Sequence, residues 1–162
     1  MLASLPSSAF IALDGGEAMG SFKSILCCVD NSPHSLNALR SAAALAREVG
    51  AGLVLLHVEP KPSAEMTLAP FPSEHSAPPP MEERWCAIAS DIRHEQVPLH
   101  YATGNAADKI VEFAGQFACD LIVLGSKART PASLALGSVA AKVLVHARCP
   151  VLIVRETAPA ET

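Results

Sequence analysis

Strand-like segments recur five times along this chain with a helix-periodic segment between each pair, and this alternation restricts the fold more than any other feature. Ile25–Val29, Leu53–Val58, Leu121–Leu124 and Val151–Val154 are continuously apolar, which suits strands covered on both faces. In the remaining segment Val97, Leu99 and Tyr101 alternate instead. Its Pro98 has no N–H to give to a ladder, which places that strand at a sheet edge. Between the strands, Leu36, Leu39, Ala43 and Ala46 keep helical spacing, as do Trp85, Ile88, Ala89 and Ile92. Ile110, Val111, Ala114 and Phe117 form a third such set, and Val139, Val143 and Leu144 a fourth. Ser32 and Pro33 supply the cap and first residue of the first helix, Gly50 its stop, and Asn105 the cap of the third. The order βαβαβαβαβ predicts an α/β domain, a single open five-stranded parallel sheet with helices on both faces.

At 162 residues the chain suits one domain, and with 50% hydrophobic but only 4% aromatic residues its core must be built from Ala, Val, Leu and Ile. Residues 22–156 carry the periodic pattern and are expected to form the domain. Residues 1–21 and 157–162 lack it and read as flexible tails, with Met19 an alternative start. Residues 59–80, holding seven of the thirteen prolines, read as a long loop inside the domain. The apolar run Ala9–Leu13 is too short for a signal-peptide core or a membrane span, so neither export nor a membrane is expected. A net charge of −4 and scarce aromatic residues speak against nucleic acid as a partner. Five cysteines without ligand spacing read as reduced thiols of a cytoplasmic protein, Cys27 and Cys28 pointing to opposite faces of one strand. Six histidines without paired spacing give no metal site.

Ligands of open parallel sheets bind beyond the carboxyl ends of the strands, here Asp30, Val58, Gly104 and the stretch from Gly125 to Ser138. Gly137 and Ser138 end that last loop on a helix N-terminus, where free N–H groups and the helix dipole favour a phosphate, and Lys127 and Arg129 add charge. Two readings stand side by side: a phosphate cradle, or glycines that serve loop geometry beside solvated cations. No glycine cluster follows the first strand, and neither a P-loop nor a kinase signature occurs, which excludes an ordinary dehydrogenase or NTPase. With no Gly-x-Ser-x-Gly elbow and no base beyond Asp30, a dedicated enzyme is not expected.

The stretches Ile25-Leu-Cys-Cys-Val-Asp30-Asn-Ser, Leu55-Leu-His-Val58, Asp120-Leu-Ile-Val-Leu-Gly125-Ser and Gly137-Ser-Val-Ala, with the block from His146 to Val154, together resemble the universal stress protein family. That resemblance implies a Rossmann-like sheet of the adenine nucleotide alpha hydrolase-like kind with the first strand in the middle. It further implies small cytosolic homodimers and, in one branch, ATP or AMP, with or without Mg, at a Gly-x-x-Gly-x9-Gly-Ser/Thr motif. Carried onto this sequence, Asp30 and Val58 would flank the adenine and ribose and Leu124 and Gly125 would line the nucleoside, with Cys28 and Val29 before Asp30, and His57 before Val58, counted in the expected site by position. Lys127, Ala128, Arg129, Gly137, Ser138 and Val139 would hold the phosphates. The motif is altered, since Ala128 replaces its second glycine, eight residues separate it from Gly137, and Pro131 lies between them.

The expected function is that of a stress-responsive protein binding an adenine nucleotide, with at most slow ATP hydrolysis. The alternative is a partner-binding dimeric scaffold that has lost the ligand. Val151, Leu152, Ile153 and Val154 read as an apolar, unprotected sheet edge that pairs with a second copy, so that a charge at Val151 or Ile153 should yield monomers.

Overall fold

The computed structural model describes residues 9–12, 22–61, 81–93, 95–126 and 136–155. Its strands are β1 (Ala9–Ala12), β2 (Ser24–Cys28), β3 (Gly52–Glu59), β4 (Leu99–Thr103), β5 (Leu121–Ser126) and β6 (Val151–Arg155). The helices are α1 (Pro33–Val49), α2 (Met81–Arg93), α3 (Ala106–Gln116) and α4 (Ser138–His146). The sheet runs β1-β6-β5-β2-β3-β4. The five strands from β2 to β6 are mutually parallel, with β2 at their centre and β4 at one edge as Pro98 requires.

Strand alternation sorts the apolar runs into two cores. Ile25, Cys27, Leu53, Leu55, Leu121, Val123, Leu152 and Val154 face α1 and α2, where they meet Leu39, Ala42, Ala43 and Trp85. Leu26, Leu56, Ile122, Leu124, Val151 and Ile153 face α3 and α4, where they meet Ile110, Phe113 and Val143. Each such side chain contributes about 1.5–3 kcal/mol when fully buried, which is why continuous apolar runs, rather than alternating ones, occupy the middle of the sheet. Cys27 and Cys28 part to the two cores as adjacent strand residues must.

Local chemistry sets the helix ends. Ser32 Oγ accepts from the Ser35 amide at 3.2 Å, Pro33 opens α1, and Gly50 closes it in the left-handed region at φ 72°. Asn105 Oδ1 accepts from the Asp108 amide at 3.2 Å and caps α3. At the opposite end of the sheet, Asp120 receives the amides of Lys23 and Ser24 at 2.7 and 3.0 Å and ties the entry of β2 to that of β5. At Gly125 the start of α1 lies hard against the sheet. A Cβ there would lie 2.5 Å from the His34 carbonyl oxygen.

One expectation is overturned. Val151–Val154 is not an open edge, because Ala9–Ala12, from a segment read as tail, pairs with it antiparallel from Ala9↔Val154 to Ala12↔Val151. Four apolar residues suffice for a strand when a buried neighbour supplies the ladder. Val151 and Ile153 are 1% and 0% exposed within the chain, so a charge at either disrupts the core of the monomer rather than an interface alone. The Pro-rich loop lies almost wholly outside the described residues, as do the last seven residues.

Two measurements check this packing. Gly125→Ala is expected to lower stability by about 1–3 kcal/mol in denaturant titrations, the cost of forcing α1 off the sheet. Burial pushes the Cys27 thiol from 9.0 up to about 12. The unfolded chain therefore ionises first, and stability that is complete below pH 9 falls as pH rises from 9 towards 12, by about 1.4 kcal/mol per pH unit for this thiol. Thermal melts across that window should show a shallower decline for Cys27→Ala than for the parent.

Candidate functional site

Polar groups gather where the buried strands end. A cavity of about 240 Å³ opens at the carboxyl ends of β2, β3 and β5, on the side covered by α3 and α4. Val29, Leu56, Val58, Ile110 and Leu124 give it apolar walls, and Asp30, Ser32, Ser35 and Ser138 give it a polar rim. Asp30 follows β2 directly. Its amide donates to Ser35 Oγ at 2.8 Å and its Oδ1 accepts from the Ser32 amide at 2.7 Å, so the turn into α1 holds the carboxylate at the mouth.

Three helices point their N-termini at this cavity, through Ser32 for α1, Ala106 for α3 and Ser138 for α4. Ser32 and Asn105 cap the first two with their side chains. Among the described residues no side chain caps helix α4 at Gly137, which leaves its first amides as donors for an acceptor at this rim. Gly137 has an ordinary φ of −58°, and a Cβ built on it meets nothing within 4 Å. The glycine leaves open space in front of those amides.

Of the residues singled out from the sequence, Cys28, Val29, Asp30, Val58, Leu124, Gly125, Gly137, Ser138 and Val139 line the cavity. His57 does not. Val58 faces α3, so strand alternation turns His57 to the other face, where its ring lies 5.1 Å from that of Trp85 and Nδ1–H donates to the Val29 carbonyl at 2.8 Å. Gly104 is also absent from the lining; its amide donates to the Glu59 carbonyl at 2.8 Å. Lys127, Ala128, Arg129 and Pro131 lie outside the described residues. Sequence reading missed Ser35, Leu56, Ala106, Ile110 and Ala140 as cavity residues, and used Ser32 only as a cap. The capping signals at Ser32 and Asn105 could have located the α1 and α3 contributions.

Among the described lining residues Asp30 is the only carboxylate, and burial holds the Cys28 thiol well above its usual range, so this half-buried cysteine is neutral at physiological pH. Among the described residues no group of three His, Cys, Asp or Glu side chains could hold a metal ion, and no helix is long and apolar enough to cross a membrane.

Similar proteins share this architecture. Residues 21–155 match the model of the Universal stress protein family. Universal stress protein G of Shigella flexneri is 33% identical over 147 residues, covering 83% of this chain and 99% of that protein. A Thermus aquaticus universal stress protein is 35% identical over 139 residues, with 83% and 99% coverage. Among solved structures, a universal stress protein in complex with cAMP is 21% identical with a TM-score of 0.62, covering 82% of this chain and 96% of that one. The Archaeoglobus fulgidus universal stress protein in complex with dAMP is 23% identical with a TM-score of 0.54, covering 84% and 99%. The two structural likenesses show the fold. With the family match across nearly its whole length, this chain belongs to the universal stress protein family.

Proposed function

We propose that this protein is an adenine-nucleotide-binding member of its family, a cytosolic stress-response regulator that forms a homodimer through its last strand when β1 does not cover it. The observation that carries the ligand is the uncapped N-terminus of α4 at the rim of an apolar cleft, beside two helix N-termini that are capped. The amides at Ser138 and Val139 would receive a phosphate, with the Ser138 hydroxyl as a further donor. Val29, Leu56, Val58, Ile110 and Leu124 would enclose the purine, and the Asp30 carboxylate, with Oδ1 already engaged by Ser32, would offer Oδ2 to a ribose hydroxyl. That structural neighbours are seen with cAMP and dAMP supports an adenine nucleotide rather than another phosphorylated ligand. ATP and AMP both suit the rim; Mg would come with the polyphosphate.

The reading is of a sensor. Asp30 is the one described residue in the lining able to act as a base, and its place at the cleft mouth suits it to hold the sugar. Turnover, if measured, should be no faster than slow ATP hydrolysis.

Gly137→Ala separates ligand from fold. Its φ is ordinary and the added methyl meets no atom of the described residues, so stability should change by no more than about 1 kcal/mol, the usual range for a glycine-to-alanine change at a cap. The methyl would stand between the phosphate and the α4 amides, so affinity for AMP and ATP by calorimetry should fall about tenfold or more, equivalent to about 1.4 kcal/mol. Unaltered affinity, or no binding by the parent at millimolar nucleotide, contradicts the reading.

A further inference from the structure

The edge of β6 is where this chain departs from a plain parallel sheet. Every other neighbouring pair of strands is parallel, whereas β1 lies antiparallel on β6 and comes from the far end of the sequence. Its four residues cover Val151 to Val154. The side chains of Val151, Leu152, Ile153 and Val154 are spent on the two cores, at 0–3% exposure. What this edge offers a further strand is therefore backbone, without side-chain selectivity, and in an antiparallel sense.

The connection between β1 and the body is loose in length. Residues 13–23 separate Ala12 from Ser24, a chain that reaches about 40 Å when extended. β1 lies three strand positions from β2, about 14 Å. By length alone, eleven residues suffice to span that gap. Covalent attachment raises the effective concentration of a strand to about millimolar when the linker can span its sites, which lets a weak four-residue strand exclude a competing strand present at about micromolar levels.

We propose that β1 is a built-in blocking strand, and that the occupant the β6 edge takes when β1 leaves is the β6 strand of a second copy of the chain. This rests on the dimeric reading of the last strand and deepens it. Val151–Val154 is antiparallel-competent with itself about a two-fold axis between Leu152 and Ile153, and such a pair presents the same backbone edge that β1 now satisfies. Loss of β1, by proteolysis or by synthesis from Met19, then converts monomer to dimer.

The test compares the full chain, a chain starting at Met19, and a full chain carrying Phe10→Pro and Ile11→Pro. Adjacent strand residues point their N–H groups to opposite sides, so one of the two prolines removes a donor facing β6. Sedimentation and light scattering over a concentration series should give a dimer dissociation constant at least about tenfold lower for both variants than for the parent. Thermal melts should remain cooperative. Hydrogen exchange should show the outward β6 amides protected in the full chain, open in the dilute Met19 chain and protected again at high concentration. Equal dimer dissociation constants for all three chains overturn the blocking role while leaving the dimer intact. Monomers throughout, or a dimer whose outward β6 amides stay open, overturn both.

Discussion

A parallel sheet covered on both faces has no place for polar side chains except where its strands end, and the chemistry of this protein follows from that constraint. Ile25, Leu26, Cys27, Leu55, Leu56, Ile122, Val123, Leu152 and Ile153 are fully shielded from water, so the middle of the sheet can carry packing and nothing else. Asp30, Ser32, Ser35 and Ser138 stand where β2 gives way to α1 and where α4 begins. Helices packed against parallel strands turn their N-termini toward this same end, which concentrates amide donors there. Side-chain caps consume those donors on α1 and α3 and spare them on α4.

Gly125 joins the fold to the site. Its missing side chain lets the His34 carbonyl approach the end of β5, and the same residue forms part of the cavity wall. Its glycine is explained by packing alone, whereas the open space beside Gly137 has no such explanation among the described residues. The two glycines, equivalent in a motif, thus do different physical work.

Most of the architecture was legible because burial on both faces writes itself into sequence as unbroken apolar runs. Pro98 marked the edge strand, and Ser32, Gly50 and Asn105 marked helix ends, each through a local rule that tertiary contacts did not override. What escaped was non-local. Ala9–Ala12 is short and aperiodic, and becomes a strand through a neighbour some 140 residues away in sequence. Its presence turns the apolar last strand from an exposed edge into a shielded one. His57 was placed at the ligand because it precedes Val58, yet one step along a strand reverses the face. Ala106, Ile110 and Ala140 enter the cavity from helix starts that sequence spacing does not bring together.

The central claim is that the first amides of α4 receive a phosphate while an adenine occupies the cleft between β2, β3 and α3. Titration of the isotope-labelled protein with AMP, followed through backbone amide resonances, tests it most directly. The account requires the largest shifts at Ser138, Val139 and Ala140, accompanied by Asp30 and Val58, with the His57 and Trp85 side of the sheet little changed. Shifts confined to that opposite side, or a spectrum unmoved at millimolar AMP, would contradict it.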